Sequence, residues 1–68
     1  PVDDEFKSKL DKNIAGYIEM EKKFEAEKTT ANQRLLNAAK MHIFHICGMS
    51  IVKREYAKKR FEMTVLKK

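Results

Sequence analysis

Residues 41–52 read Met-His-Ile-Phe-His-Ile-Cys-Gly-Met-Ser-Ile-Val and form the longest apolar run of the chain. On a helix this run carries apolar side chains around nearly the whole circumference, and helices of that kind are normally buried. One neighbouring helix cannot cover such a surface on all sides. The run is too short to cross a bilayer, which takes about 20 apolar residues. It therefore predicts no transmembrane segment, but burial against the rest of the chain and against a second copy.

The sequence around this run is dominated by strong helix formers. Between residue 31 and residue 68, Gly48 is the only glycine and there is no proline. We therefore predict one long α-helix from about residue 31 to about residue 67. A helix of that length spans about 55 Å and overhangs any shorter partner helix in the same chain. The overhang again favours a second chain as the cover.

The first 30 residues predict a shorter amphipathic helix. Apolar side chains recur there at steps of three and four residues, which places them on one face. Asp3 suits the N-cap, and Asp4 and Glu5 suit the first turn, where the helix dipole favours negative charge. We expect this helix to run from about residue 3 to about residue 28.

Residues 29–33 are the expected break between the two helices. Thr30 and Gln33 stand three residues apart, which is the spacing of a capping box at a helix start. No glycine or proline stops the first helix, so one continuous helix through residue 30 remains an alternative.

The sequence thus predicts an all-α fold, a helical hairpin with a longer second helix that associates into a homodimeric helical bundle or coiled coil. Residues 1–68 are expected to form one small oligomerisation module, a fragment of a longer protein. The residues expected to pack the two helices within the chain are Phe6, Leu10, Ile14, Tyr17, Phe24, Leu36 and Ala39. The residues expected at the oligomer interface are Met41, Ile43, Phe44, Ile46, Cys47, Ile51 and Val52.

A β alternative remains at this point. Residues 41–47 are rich in residue types that suit strands, and residues 61–65 alternate between apolar and polar. This alternative predicts a helix followed by two strands. The absence of turn-forming residues between the two segments weighs against it.

The charges are unevenly distributed along the chain. The formal net charge is +5, with residues 1–30 at −2 and residues 31–68 at +7. The basic stretch 53–60 offers Lys53, Arg54, Lys58, Lys59 and Arg60 as candidate contacts to nucleic acid or another anionic surface. Two other interpretations are an ordinary solvated helix end and a contact to an acidic protein.

Few residues suggest chemistry. Cys47 is the single cysteine and lies among apolar residues, which favours a buried inert thiol over a nucleophile. His42, His45 and Cys47 cannot complete a closed tetrahedral metal site within one chain. The sequence carries no phosphate-binding loop and no zinc-protease motif. We therefore expect no enzyme, no cofactor and no metal, and the single cysteine favours an intracellular location.

The function predicted from the sequence is non-catalytic self-association through residues 41–52, with a dimer favoured. The alternative from another class is a helical module that binds nucleic acid or an anionic surface through residues 53–60. A third possibility is an amphipathic helix on a membrane surface.

Overall fold

The structure is a computed structural model that describes residues 2–66. It contains the helices α1 (Asp4–Ala26), α2 (Thr30–His45) and α3 (Ile51–Phe61), followed by a π-helical turn at Glu62–Leu66. The prediction of an all-α fold is confirmed, because residues 2–66 contain helices and turns but no strand. The β alternative was therefore wrong for both of its segments.

Helix α1 begins as predicted. The backbone N–H of Phe6 donates to Oδ1 of Asp3 at 2.8 Å, so Asp3 is the N-cap, and Asp4 and Glu5 occupy the first turn. The helix ends at Ala26, two residues before the expected end. The apolar face that predicted the helix is buried at Phe6, Leu10 and Ile14.

A short loop at residues 27–29 separates α1 from α2, so one continuous helix is excluded. The N-cap of α2 is Thr29, one residue before the expected Thr30, and its Oγ1 accepts from the backbone N–H of Asn32 at 3.1 Å. The Asn32 side-chain amide donates to the carbonyl oxygen of Glu27 at 2.8 Å. The backbone N–H of Thr29 donates to the same oxygen at 2.9 Å, so Asn32 adds a second hydrogen bond to a carbonyl at the end of α1.

The prediction of one long second helix was wrong. Residues 46–49 form a turn in which Gly48 has φ +59°, and the N–H of Gly48 donates to the carbonyl oxygen of His45 at 3.1 Å. Two residues later, the Oγ of Ser50 accepts from the N–H of Lys53 at 3.3 Å and caps α3. A left-handed glycine after one helix and a serine before the next are the usual signals of a stop and a start. The predicted helix end at residue 67 lies outside the described residues.

Because of this turn, α3 folds back against the α1–α2 hairpin and runs parallel to α1. The ring of Phe6 meets that of Tyr56 at a centroid distance of 6.5 Å, and Tyr17 meets Phe61 at 5.0 Å. Between these two contacts, Nε of Arg60 lies 3.3 Å from Oδ1 of Asp11. The chain is therefore a three-helix bundle instead of a two-helix hairpin.

The core contains buried residues from all three helices and from the π-helical turn. Its buried residues are Phe6, Leu10, Ile14, Ile43, Cys47, Ala57, Phe61 and Val65. Of the residues expected to pack α1 against the second helix, the first three are buried, and Tyr17, Phe24, Leu36 and Ala39 are half-buried. From α3 the core takes Ala57 and Phe61.

The two glycines provide a matched test of the α2–α3 turn. A Cβ added at Gly48 or at Gly16 meets no atom within 4 Å, so the two sites differ only in backbone conformation. We expect Gly48→Ala to lower the free energy of unfolding by about 1–2 kcal/mol, because an L-residue is strained in the left-handed region. Gly16→Ala, inside α1, should raise it by roughly 0.5–1 kcal/mol.

Urea denaturation followed by circular dichroism at low micromolar concentration measures both changes. If Gly48→Ala were as stable as Gly16→Ala, the left-handed turn at residue 48 would not exist in solution.

Candidate interaction surface

The predicted oligomer interface divides into two groups in the folded chain. Met41, Ile51 and Val52 are 73%, 76% and 56% exposed, and Phe44 and Ile46 are half-buried. Ile43 and Cys47 are 0% and 2% exposed in the core of the single chain. These two side chains pack against their own chain, because α3 folds back over them, which corrects the predicted interface at positions 43 and 47.

Three large apolar side chains project from the connection between α2 and α3. Met49 is 98% exposed, and it is followed closely by the exposed Ile51 and Val52 in the first turn of α3. We refer to Met49, Ile51 and Val52 as the turn surface. Met49 is not among the residues expected at the oligomer interface, because residue 49 was predicted to lie inside a helix. The close pairing of Gly48 and Ser50 could have predicted a turn at Met49, because a glycine often ends a helix and a serine often begins the next one.

A groove lies beside the turn surface, between the outer face of α2 and the first turn of α3. It has a volume of about 880 Å³ and is open to solvent. We refer to it as the α2–α3 groove. Its lining residues are Ala38, Lys40, Met41, His42, Phe44, His45, Gly48 and Arg54.

The α2–α3 groove combines apolar and basic side chains. Met41 and Phe44 supply its large apolar side chains, and Lys40 and Arg54 supply its positive charge. None of the described residues that line it carries a carboxylate. The sequence explains this composition, since residues 28–54 contain five lysines and arginines and no aspartate or glutamate.

The predicted basic stretch is only partly free for an anionic partner. The amine of Lys53 lies 5.3 Å from the centroid of the Phe6 ring, a cation–π distance, and Arg60 pairs with Asp11. Arg54 lines the α2–α3 groove, and Lys58 and Lys59 are exposed. Among the described residues, three of the five bases therefore have no ion pair, hydrogen bond or cation–π contact from their side chains. These three are Arg54, Lys58 and Lys59.

The histidines are neighbours on the exposed side of α2. The rings of His42 and His45 stack at a centroid distance of 6.3 Å with an interplanar angle of 27°. Among residues 2–66 there is no group of three or more His, Cys, Asp or Glu side chains that could hold a metal ion.

Cys47 lies in the core at the junction of α2 and α3. Its Sγ is 3.5 Å from the carbonyl oxygen of Ile43 and 3.7 Å from that of Lys53. Burial raises the pKa of the Cys47 thiol, and the positive charges of Arg54 and Lys53 oppose part of that shift. A buried thiol with a raised pKa is a poor nucleophile, because the reactive species is the thiolate.

No helix in the described part of the chain is both long enough and apolar enough to span a membrane.

No family model, curated protein or solved structure matches this chain. No property of a relative therefore carries over to it.

The raised pKa predicts slow modification of Cys47. At pH 7.5 we expect a disulfide reagent to react with the native thiol at least about tenfold more slowly than with the denatured chain, because the thiolate is disfavoured and shielded. The rate of thiol release, measured by absorbance with and without guanidinium, gives this ratio. Equal rates would show that the α2–α3 junction is open in solution.

The same shift predicts a pH dependence of stability. The pKa of the Cys47 thiol is higher in the folded chain than in the unfolded chain. The contribution of the neutral thiol to the free energy of unfolding is therefore complete below the unfolded pKa, and it is lost as the pH rises through the folded pKa. The difference in unfolding free energy between the wild type and Cys47→Ala should therefore shrink as the pH rises above about 8.5. Subtracting the curve of Cys47→Ala from that of the wild type isolates the contribution of position 47.

Proposed function

We propose that this chain is a non-catalytic protein–protein interaction module that associates with a second copy of itself. The observation that carries the proposal is the turn surface, where Met49, Ile51 and Val52 are each more than half exposed. Adjacent large apolar side chains exposed at one end of a small bundle are typical of a surface that another protein covers. A dimer is the simplest assembly, because one two-fold axis covers the surface on both copies.

The magnitude of the apolar burial supports association that depends on concentration. Each large apolar side chain contributes about 1.5–3 kcal/mol when it is fully buried. A two-fold contact buries six such side chains, for a gain on the order of 10 kcal/mol. Association itself costs about 4–15 kcal/mol. Gain and cost are of similar size, so the strength of the dimer depends on how completely the turn surface is buried.

We propose a non-catalytic module because the residues that could take part in chemistry are buried in the core, exposed to solvent or placed at a helix start. Cys47 is buried with a raised pKa, and the paired histidines lie exposed on α2. The acidic residues at the start of α1 cap that helix. An intracellular location remains part of the proposal on account of the single free cysteine.

A second candidate function is binding to phosphates of nucleic acid or lipid through Arg54, Lys58 and Lys59. The exposure of these three bases favours it. Glu55 and Glu62 are exposed close to them on the same segment, which lowers the local positive potential. Lys53 and Arg60 make contacts within the chain. We therefore rank phosphate binding below self-association.

Self-association predicts a molar mass that rises with concentration above the 8.0 kDa of one chain. The double variant Ile51→Glu/Val52→Glu should remain at the mass of one chain, because two buried charges per copy oppose contact. The variant should keep its helicity, since negative charge in the first turn of α3 suits the helix dipole. Sedimentation equilibrium across a dilution series measures the mass.

The matched control is Leu35→Glu/Met63→Glu, which places the same two charges at positions that are 51% and 63% exposed but lie outside the turn surface. This control should associate like the wild type. A wild type that stays at the mass of one chain at millimolar concentration would contradict self-association. Binding to a DNA duplex that falls steeply between roughly 50 and 200 mM salt would favour the second candidate instead.

A further inference from the structure

The α2–α3 groove differs from the turn surface in shape and in charge. The turn surface is convex, since Met49 is 98% exposed at its tip, whereas the groove is a shallow, open depression with the half-buried Phe44 in its wall. The two surfaces therefore suit different partners, and what binds in the groove does not follow from the self-association proposed above.

The dimensions of the groove suit a helix. Its lining runs along the outer face of α2 from Ala38 to His45, which is two helical turns or about 10 Å at 1.5 Å per residue. Recognition of a helix in a groove uses apolar anchors at i, i+3 or i+4, and i+7, which spans the same two turns. Met41 is 73% exposed, and methionine side chains adapt to the shape of such anchors. The small residues Ala38 and Gly48 leave room for close approach.

The charge of the groove selects an acidic partner. Lys40 and Arg54 line it, and none of the described residues that line it carries a carboxylate; the exposed Glu55 lies in an adjoining depression that shares Phe44 and Arg54. A peptide with carboxylates flanking its apolar anchors would pair with these two bases, and such rim pairs set specificity and association rate.

A second copy of this chain does not meet that requirement. Two-fold contact through the groove would place Lys40 and Arg54 of both copies against one another, and like charges at an interface disfavour it. The acid-rich helix of the chain is α1, and its apolar face is buried at Phe6, Leu10 and Ile14 in its own core. A second copy cannot offer that face without unfolding.

Other anionic partners fit the groove less well. A bilayer surface would contact the exposed Met41 but would not reach the half-buried Phe44 in the wall of the groove. The phosphates of a nucleic acid would pair with Lys40 and Arg54. They would leave Met41 and Phe44 without an apolar contact.

We infer that the α2–α3 groove is a docking site for an acidic amphipathic helix of another protein. The apolar side chains of that helix would bind between Met41 and Phe44, and its carboxylates would pair with Lys40 and Arg54.

The probe for this inference is a designed 18-residue amphipathic peptide, with leucines at i, i+4 and i+7 and glutamates beside them. The control peptide carries lysines in place of the glutamates. Titration calorimetry against the whole chain, with ¹⁵N chemical shifts to locate the site, should show that the acidic peptide binds at least about tenfold more tightly than the basic one. The shifted resonances should include Met41, Phe44 and Arg54.

The chain offers a matched pair of variants for the same titration. Met41→Glu should weaken binding of the acidic peptide at least about tenfold, because it removes an apolar anchor and adds a repelling charge. Met63→Glu changes the same residue type at a similar exposure, 63% against 73%, but lies outside the groove and should bind like the wild type. Circular dichroism checks that both variants remain helical.

Equal affinity for the acidic and the basic peptide, or equal loss in the two methionine variants, would overturn the inference. Binding of a 20-base-pair DNA duplex or of vesicles with anionic lipid at Met41 and Phe44, without binding of the peptide, would also overturn it. The titration is repeated with Ile51→Ser/Val52→Ser, which removes the two apolar side chains from the turn surface without adding a carboxylate beside Arg54. If that variant binds the peptide, binding in the groove does not depend on self-association, and the two proposals can be tested separately.

Discussion

The left-handed backbone at Gly48 is the constraint on which the rest of the structure depends. With φ at +59°, the chain leaves the axis of α2, and the Ser50 cap starts α3 in a new direction. Only then can Ala57 and Phe61 reach the core and close it over Ile43 and Leu10. A helix that continued through residue 48 would carry these side chains away from α1 and leave the hairpin open on that side. Glycine adopts this left-handed conformation without the strain of an L-residue, so residue 48 suits the turn that brings α3 onto the hairpin.

The sequence predicted the elements that rest on local periodicity. Phe6, Leu10 and Ile14 recur at a spacing of four, and this is enough to predict α1, its buried face and its cap at Asp3. It did not predict the turn, because Gly48 and Ser50 are each tolerated inside a helix and only their close pairing indicates a stop and a start. The missing turn also affected how two core residues were assigned. Ile43 and Cys47 were assigned to a second chain because the α3 residues that bury them were placed along a continuous rod.

The same turn explains why the candidate surfaces could be predicted only in part. Exposure of Met41, Ile51 and Val52 follows from their number, since one short chain cannot bury every apolar residue of the run. The α2–α3 groove does not follow from the sequence, because Arg54 joins Ala38 and Met41 only after α3 has folded back. Local patterns specify which residues are apolar or basic. The tertiary fold determines which of them share a surface.

The parallel arrangement of α1 and α3 has an electrostatic consequence. Both helices begin at the same end of the bundle, so the positive ends of two macrodipoles lie side by side and repel each other. The first turn of α3 contains no acidic residue of its own. Asp3 and Glu5, at the start of α1, line a depression together with Lys53 in the first turn of α3. The carboxylates of Asp3 and Glu5 therefore also lie where they offset the repulsion between the two helix starts.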